Sequence, residues 1–288
     1  MTNHEADQVA HGEDLAIVAR AVEGDRAALT QLIDRHQQFV FNVALKMFGD
    51  RVDAEDLTQE VMIKVITSLH AFRGESAFRT WVYRIAVNHF IKTRQRDRER
   101  VVTGFASYFE AIEQTPDAPL RDLDPLIAGA TIEELRLRCT SGMLMCLDRE
   151  QRLTYILGAV FGLDQTLAAE VLNISPGNFR VRLHRARTDL STWMDRKCGL
   201  VNPANPCRCA KKTRAYVRSG RIDPEHLVFN TAFVERVDAK VERGAAQAMS
   251  LVDELTTSVF RSHPYALTRS GVVDDVLGHP VLVDFFDL

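Results

Sequence analysis

No run in this chain approaches the ~18 consecutive apolar residues that a membrane-spanning helix needs. The stretch Met1 to Asp14 is polar and acidic, without the basic and apolar segments of a secretory leader. A cytoplasmic protein with no membrane partner is the expectation. Cysteine is scarce, with five in 288 residues, too few for a secreted disulfide scaffold. Proline is absent from Asp14 through Arg98, so nothing there breaks a long helix. Also missing are a Gly-rich phosphate-cradling loop, a His-Glu-x-x-His pair and a nucleophile elbow, so no enzyme is expected. What is there is an ordinary globular composition, 46% hydrophobic and 26% charged, at a length that suits about two domains plus linkers or an extension.

The overall charge, 36 basic against 39 acidic residues, hides a sorted distribution. Residues 72–100 hold eight basic and three acidic side chains, net +5, and residues 176–197 hold six and two, net +4. Between them, residues 101–150 hold four basic and nine acidic, net −5. Two electropositive modules joined by an acidic connector point to a nucleic-acid partner.

From Asp14 to about Arg98 the apolar residues recur at helical spacing, which predicts a helical domain. Leu57, Val61, Val65 and Leu69, with Met62 and Ile66, make one stripe, with Asp53 the expected N-cap. A loop over Ala71 to Ser76 precedes a second helix that buries Phe78, Trp81, Val82, Ile85 and His89 and turns Arg84, Asn88 and Lys92 outward. Prolines 116, 119 and 125 and excess acid mark 101–141 as linker, with one short helix near Ile132 to Arg138. Beyond it come a helix from Arg149 to Phe161, a break at Gly162, a helix from Gln165 to Leu172, and the turn Asn173-Ile174-Ser175. Ser175 is a good N-cap for a longer basic helix with Pro176 at its first position. The result is a helix-turn-helix, the geometry that seats its second helix in a major groove.

On that basic helix Arg180 and His184 are four apart with Val181 and Arg185 alongside and Arg182 nearby, so one face can reach base edges while arginines hold phosphates. A solvated cationic helix is the blander alternative. The first basic patch interleaves cations, Arg73 among them, with Phe72, Phe78, Trp81 and Tyr83, a mixture that suits unstacked bases. Phe78 and Trp81 are better read as core, and Phe72 and Tyr83 as the aromatics for contact.

Residues Asp53-Ala54-Glu55-Asp56-Leu57-Thr58-Gln59-Glu60, followed by Phe72-Arg73-Gly74-Glu75-Ser76-Ala77-Phe78-Arg79-Thr80-Trp81 and on to Asn88, resemble region 2 of the extracytoplasmic-function sigma factors of bacterial RNA polymerase. Cys146 to Trp193, containing Ser175-Pro176-Gly177-Asn178-Phe179-Arg180-Val181-Arg182-Leu183-His184-Arg185, resembles their region 4. The resemblance covers roughly residues 14 to 196, two thirds of the chain. It implies that Asn88 reads a −10 base, Phe72 lies near a flipped base, and Tyr83, Arg84 and Lys92 support the separated strand. Arg180, Val181, Arg182, His184 and Arg185 would read the −35 element, with His184 a departure from the aromatic residues familiar there. Asp56, Gln59, Glu60 and Ile63 would dock on the clamp helices of core polymerase. Promoter DNA and core RNA polymerase are then the partners, an anti-sigma factor is one the resemblance allows, and the linker, longer than usual, would run toward the RNA path. The rival of another class is a free-standing helix-turn-helix regulator, which needs no polymerase-binding face.

The expected architecture is all-α: a tail over 1–13, region 2 over 14–100, linker over 101–141, region 4 over 142–196, a basic cysteine segment over 197–221 and an acidic helical extension over 222–288, net −6. Glu225 to Arg243 and Ala245 to Phe260 carry helical spacing and suggest a hairpin. Cys198, Cys207 and Cys209, at spacing C-x8-C-x-C beside Lys211, Lys212 and Arg214, are expected to ionise easily, which favours zinc or oxidation. Promoter recognition itself requires no cofactor. A fourth ligand is not evident, because His226 is distant in sequence and His184 is wanted on DNA. The alternative is a loop-rich joint with free thiols. An extension that docks on region 4 or region 2 and tunes promoter access, with the cysteine segment as hinge, is the regulatory expectation.

Overall fold

The computed structural model describes residues 3–118, 123, 125–227 and 272–280. Every regular element among the described residues is helical, and an isolated bridge pairs Cys198 with Cys207. The first unit contains α1 (Asn3–Val22), α2 (Arg26–Phe48), α3 (Arg51–Thr67) and α4 (Phe78–Lys92). Helix α1 thus starts inside the stretch expected to be a tail. Asp25 caps α2 by accepting from the N–H groups of Ala27 and Ala28 at 2.9 and 3.2 Å. Gly49 ends it at φ 70°, a left-handed conformation that a side chain would strain.

The cap of α3 is Asp50 rather than the expected Asp53, with the N–H groups of Val52 and Asp53 donating to Asp50 Oδ1 at 3.0 and 3.2 Å. The Gly49 turn lets Asp50 follow directly on α2, so the chain is already helical at Asp53, where the helix dipole still favours its charge. The expected stripe is buried: Leu57, Val61, Met62, Val65, Ile66 and Leu69 share a core with Phe41 and Phe48 of α2 and with Phe78, Val82 and Phe90 of α4. From Val40 to Phe48 every residue of α2 is buried. A helix shows that pattern only when other elements cover it all round. The run includes Lys46, whose ammonium is pushed down to about 7 by burial.

The connector is more helical than expected, with α5 (Asp97–Val101), α6 (Phe105–Gln114) and the twenty-residue α7 (Pro125–Leu144) in place of one short helix. Proline opens α7, where its missing N–H would have had no partner. The apolar face of α6 lies on the second unit, with Phe105 and Phe109 both parallel to Trp193 at 5.9 and 5.8 Å between ring centres. Tyr108 donates to the Cys139 carbonyl at 2.6 Å and lies over Gly142, where a Cβ would collide with its ring.

The second unit matches its expected elements closely: α8 (Arg149–Tyr155), continued by a π turn over Ile156–Val160, then α9 (Gln165–Val171) and α10 (Pro176–Lys197). Each start has a local cap, Asp148, Asp164 and Ser175. Gly162 (φ 65°) and Asn173 (φ 54°) make the intervening turns.

The two units are fastened together by buried charge. Arg149 donates to Glu99 at 2.9 Å and to the carbonyls of Phe90 and Ile91 at 3.1 and 3.2 Å, which caps the C-terminal end of α4. Arg152 donates to Glu99 at 3.0 Å, to the Met47 carbonyl at 2.6 Å and to the Leu144 carbonyl at 2.9 Å. Beyond α10, α11 (Cys209–Arg218) packs on α7, and α12 (Val272–Leu277) packs on α2 and α3 with Val276 and Leu277 buried. The expected hairpin over Glu225–Arg243 and Ala245–Phe260 lies outside the described residues after Leu227.

Candidate nucleic-acid and polymerase interface

Helix α10 divides cleanly into two faces. Phe179, Ala186, Leu190 and Met194 are buried on the core side. Arg180, Val181, His184 and Arg185 are exposed on the other. Val181 leaves 50% of its surface in water, an apolar residue among cations on a face that nothing in the described chain covers. A thymine methyl suits such a position, as base edges and phosphates suit the arginines and His184 beside it. Arg182 is set back and pairs with Glu150 of α8 at 2.9 Å. Phe179 and Leu183 press against Gly158 in the π turn, where a Cβ would come within 3.0 Å of either side chain. Helix α10 is therefore seated by a close backbone approach.

On the first unit, Asn88 and Lys92 of α4 and Arg73 of the preceding loop are exposed. Phe78 is fully buried, as expected, and Trp81 is half-buried. Phe72 is half-buried in the same aromatic cluster, 5.1 Å from Phe78 edge-on and 5.4 Å from Trp81. Tyr83 is not free for contact in this arrangement: it stacks on Phe39 at 3.8 Å, and burial pushes its phenol up to about 12. Phe39 in turn meets Phe161 of the second unit at 5.2 Å. Arg84 pairs with Glu170 of α9, so two residues nominated for the separated strand face protein here. The sequence could not show this, because Phe39 lies on a separate helix of the same unit and Glu170 on the other unit.

On α3, Asp56 and Glu60 are exposed, and Gln59 and Ile63 are half-buried, with Ile63 packed at the edge of the core. Glu60 lies 2.8 Å from Nε2 of His89, a buried imidazole that burial and the neighbouring Lys64 hold below its ordinary pKa. Helix α12 packs on α3 yet leaves the carboxylates of this face open.

The cysteine segment departs from expectation in its chemistry. Cys198 is buried and Cys207 and Cys209 are half-buried. Burial raises all three thiols, Cys209 to about 12, so the cations nearby do not make them ionise easily. Among the described residues no group of three or more His, Cys, Asp or Glu side chains is already placed to hold a metal ion. Nor is the segment a free hinge. Ala118 N–H donates to the Lys211 carbonyl at 2.6 Å, Lys212 pairs with Asp117 at 2.9 Å, and Lys197 pairs with Glu113 at 2.6 Å.

Comparison with known proteins agrees with this division. Residues 32–100 match the family Sigma-70 region 2, and residues 137–190 match Sigma-70, region 4. The RNA polymerase sigma-H factor of Pseudomonas aeruginosa is 31% identical over 186 residues, which span 61% of this chain and 90% of that protein. The ECF RNA polymerase sigma-E factor of Haemophilus influenzae is 32% identical over 179 residues, 60% of this chain and 91% of that one. Among solved structures, that of CnrH in complex with the cytosolic domain of CnrY is similar at 25% identity, with a TM-score of 0.46 over 63% of this chain and 97% of the other. With a region 2 unit, a helix-turn-helix region 4 unit and relatives matched over nine tenths of their length, the chain belongs to the extracytoplasmic-function sigma factors of bacterial RNA polymerase.

Proposed function

We propose that this sigma factor divides promoter reading between Asn88, Lys92 and Arg73 at the −10 element and Arg180, Val181, His184 and Arg185 at the −35 element, while Asp56, Gln59, Glu60 and Ile63 hold core polymerase. Arg84 joins the −10 strand once it leaves Glu170, and Phe72 and Tyr83 join it once they leave their aromatic partners within the first unit. The observation that carries this reading is the uncovered face of α10, where cations surround an exposed valine. The chemistry of RNA synthesis belongs to the polymerase, and this chain supplies recognition and strand opening without a catalytic residue or an obligatory cofactor. A cytoplasmic location follows from such a partner. The thiols of Cys198, Cys207 and Cys209 are the place for a zinc ion in the extension.

The test is transcription by purified core polymerase on a library of promoters, with the full chain present or absent. Sequence-specific initiation that requires the chain supports the assignment. DNA binding without any polymerase association would favour a free-standing helix-turn-helix regulator instead.

A further inference from the structure

Four of the five cysteines come together although they are far apart in sequence. Cys198 and Cys207 face each other across the isolated β-bridge, and Cys209 opens α11 two residues later. Helix α11 packs on α7, which carries Cys139, some sixty residues earlier in the chain. The thiol of Cys139 is close enough to feel the charge of Cys198, Cys207 and Cys209, and Cys209 that of Cys198 and Cys207. Cys207 feels Cys198 in the same way, so each of the four thiols lies within electrostatic reach of the other three. Cys146, the fifth, stands apart at the end of α7, where its charged neighbour is Arg152.

We propose that Cys139, Cys198, Cys207 and Cys209 are the four ligands of a structural zinc ion that fastens the extension to α7. Tetrahedral thiolate sites of this kind are a standard zinc environment. The four thiols are not already gathered round one point, so the ion has to draw the cysteine side chains together, as where metal binding completes a fold. Binding is balanced: one Zn²⁺ displaces four thiol protons and leaves a site of net charge −2. The surroundings suit that charge, since residues 198–221 hold six basic and no acidic side chains. Arg208 and the Lys212–Asp117 pair lie near the Cys207 thiol, and the Arg136–Glu133 pair near Cys209. Cavities of about 500 and 480 Å³ are lined in part by Cys139 and by Cys207 respectively. This deepens the zinc reading of the extension by adding Cys139 and by making the site a staple between α7 and α11.

The experiment uses the full chain, purified under reductant, stripped of metal and titrated with Zn²⁺ or with Co²⁺ as a coloured substitute. One ion per chain with the intense thiolate-to-cobalt absorption of a tetrahedral site is expected. Zinc should slow alkylation of the four cysteines further and leave the rate at Cys146, whose thiol burial already pushes up to about 12, unchanged, a readout that needs no variant. Cys139→Ser should weaken Co²⁺ binding at least about 100-fold, since losing even an outer partner of a ligand costs 10- to 100-fold. Cys146→Ser should bind as the unaltered chain does. If the reduced chain takes up no ion, or only forms a Cys198–Cys207 disulfide on exposure to peroxide, zinc is excluded altogether. If an ion binds but Cys139 stays open to alkylation and Cys139→Ser binds equally well, the zinc reading stands and the four-ligand staple falls.

Discussion

Arg84 of α4 and Glu170 of α9 form an ion pair between the two DNA-reading units. Both side chains are more than a third exposed, so the pair is a weak latch of at most about 1 kcal/mol. Glu170→Ala should therefore tighten binding of a single-stranded −10 oligonucleotide by no more than about fivefold, read by fluorescence anisotropy. Arg84→Ala should weaken it. A tighter Arg84→Ala variant would show that the arginine only latches and does not hold the strand.

The stronger fastener is Glu99, held by Arg149 and Arg152 with its side chain 3% exposed. Glu99→Ala leaves two guanidinium groups short of a buried partner and should cost about 3–5 kcal/mol of stability in urea unfolding. Burial alone would raise the Glu99 carboxyl, but the bond from Arg149 and the Arg96 N–H outweigh it and bring it below its ordinary value. A depressed carboxyl stabilises the fold above its unfolded pKa, and that contribution is lost as pH falls below about 4.5. The variant should lose this part of the acid sensitivity.

Lys46 gives an alkaline dependence of the opposite origin. Its folded pKa, about 7, lies below the unfolded value of roughly 10.4, so between them the unfolded chain binds more protons. Stability from this group rises with pH across that window and is lost as pH falls back through about 7. Lys46→Met should flatten the change in urea midpoint between pH 7 and pH 10. An unchanged slope would mean that the ammonium reaches water in the folded state.

Asn88→Ala should cost on the order of 1–3 kcal/mol, and only at one −10 position. A uniform loss on every promoter would reject base reading by Asn88. Arg180→Ala should weaken −35 binding and, where the lost partner is a phosphate, make the salt dependence shallower by about 0.9 in slope. Arg182→Ala should do less, because Arg182 already has Glu150 as its partner.

What can be read from the sequence is what local chemistry decides. Ser175-Pro176, Gly162 and Asn173 set the ends of the second unit's helices, and those boundaries hold to within about a residue or two. The start of α3 differs from expectation because Asp50 and Asp53 are equally good caps, and the end of α2 at Gly49 chooses between them. The connector reads as loop because its acid and prolines stand out, yet Phe105, Tyr108, Phe109 and Ile112 have helical spacing. Their purpose is hidden until Trp193 is placed opposite them. Surface assignments on α10 need only the helix period. Those on α4 depend on Phe39 and Glu170, and the gathering of Cys139 with the tail on the packing of α11, contacts that no local pattern announces.

The contact of α4 with α9 also sets a length scale. By their names the −35 and −10 elements lie about 25 base pairs apart, ~85 Å of duplex at ~3.4 Å per pair. With Arg84 touching Glu170 and α9 packed on both α4 and α10, the two reading helices are bridged by a single helix, about two helix-packing distances of roughly 8–10 Å each. In this arrangement the protein can span one element at a time. Reading both requires the Glu99 fastener and the α4–α9 contact to part while the connector stretches between them. That work has to come from outside this arrangement, so the residues that hold the units together set the energy that must be supplied before both elements can be read together.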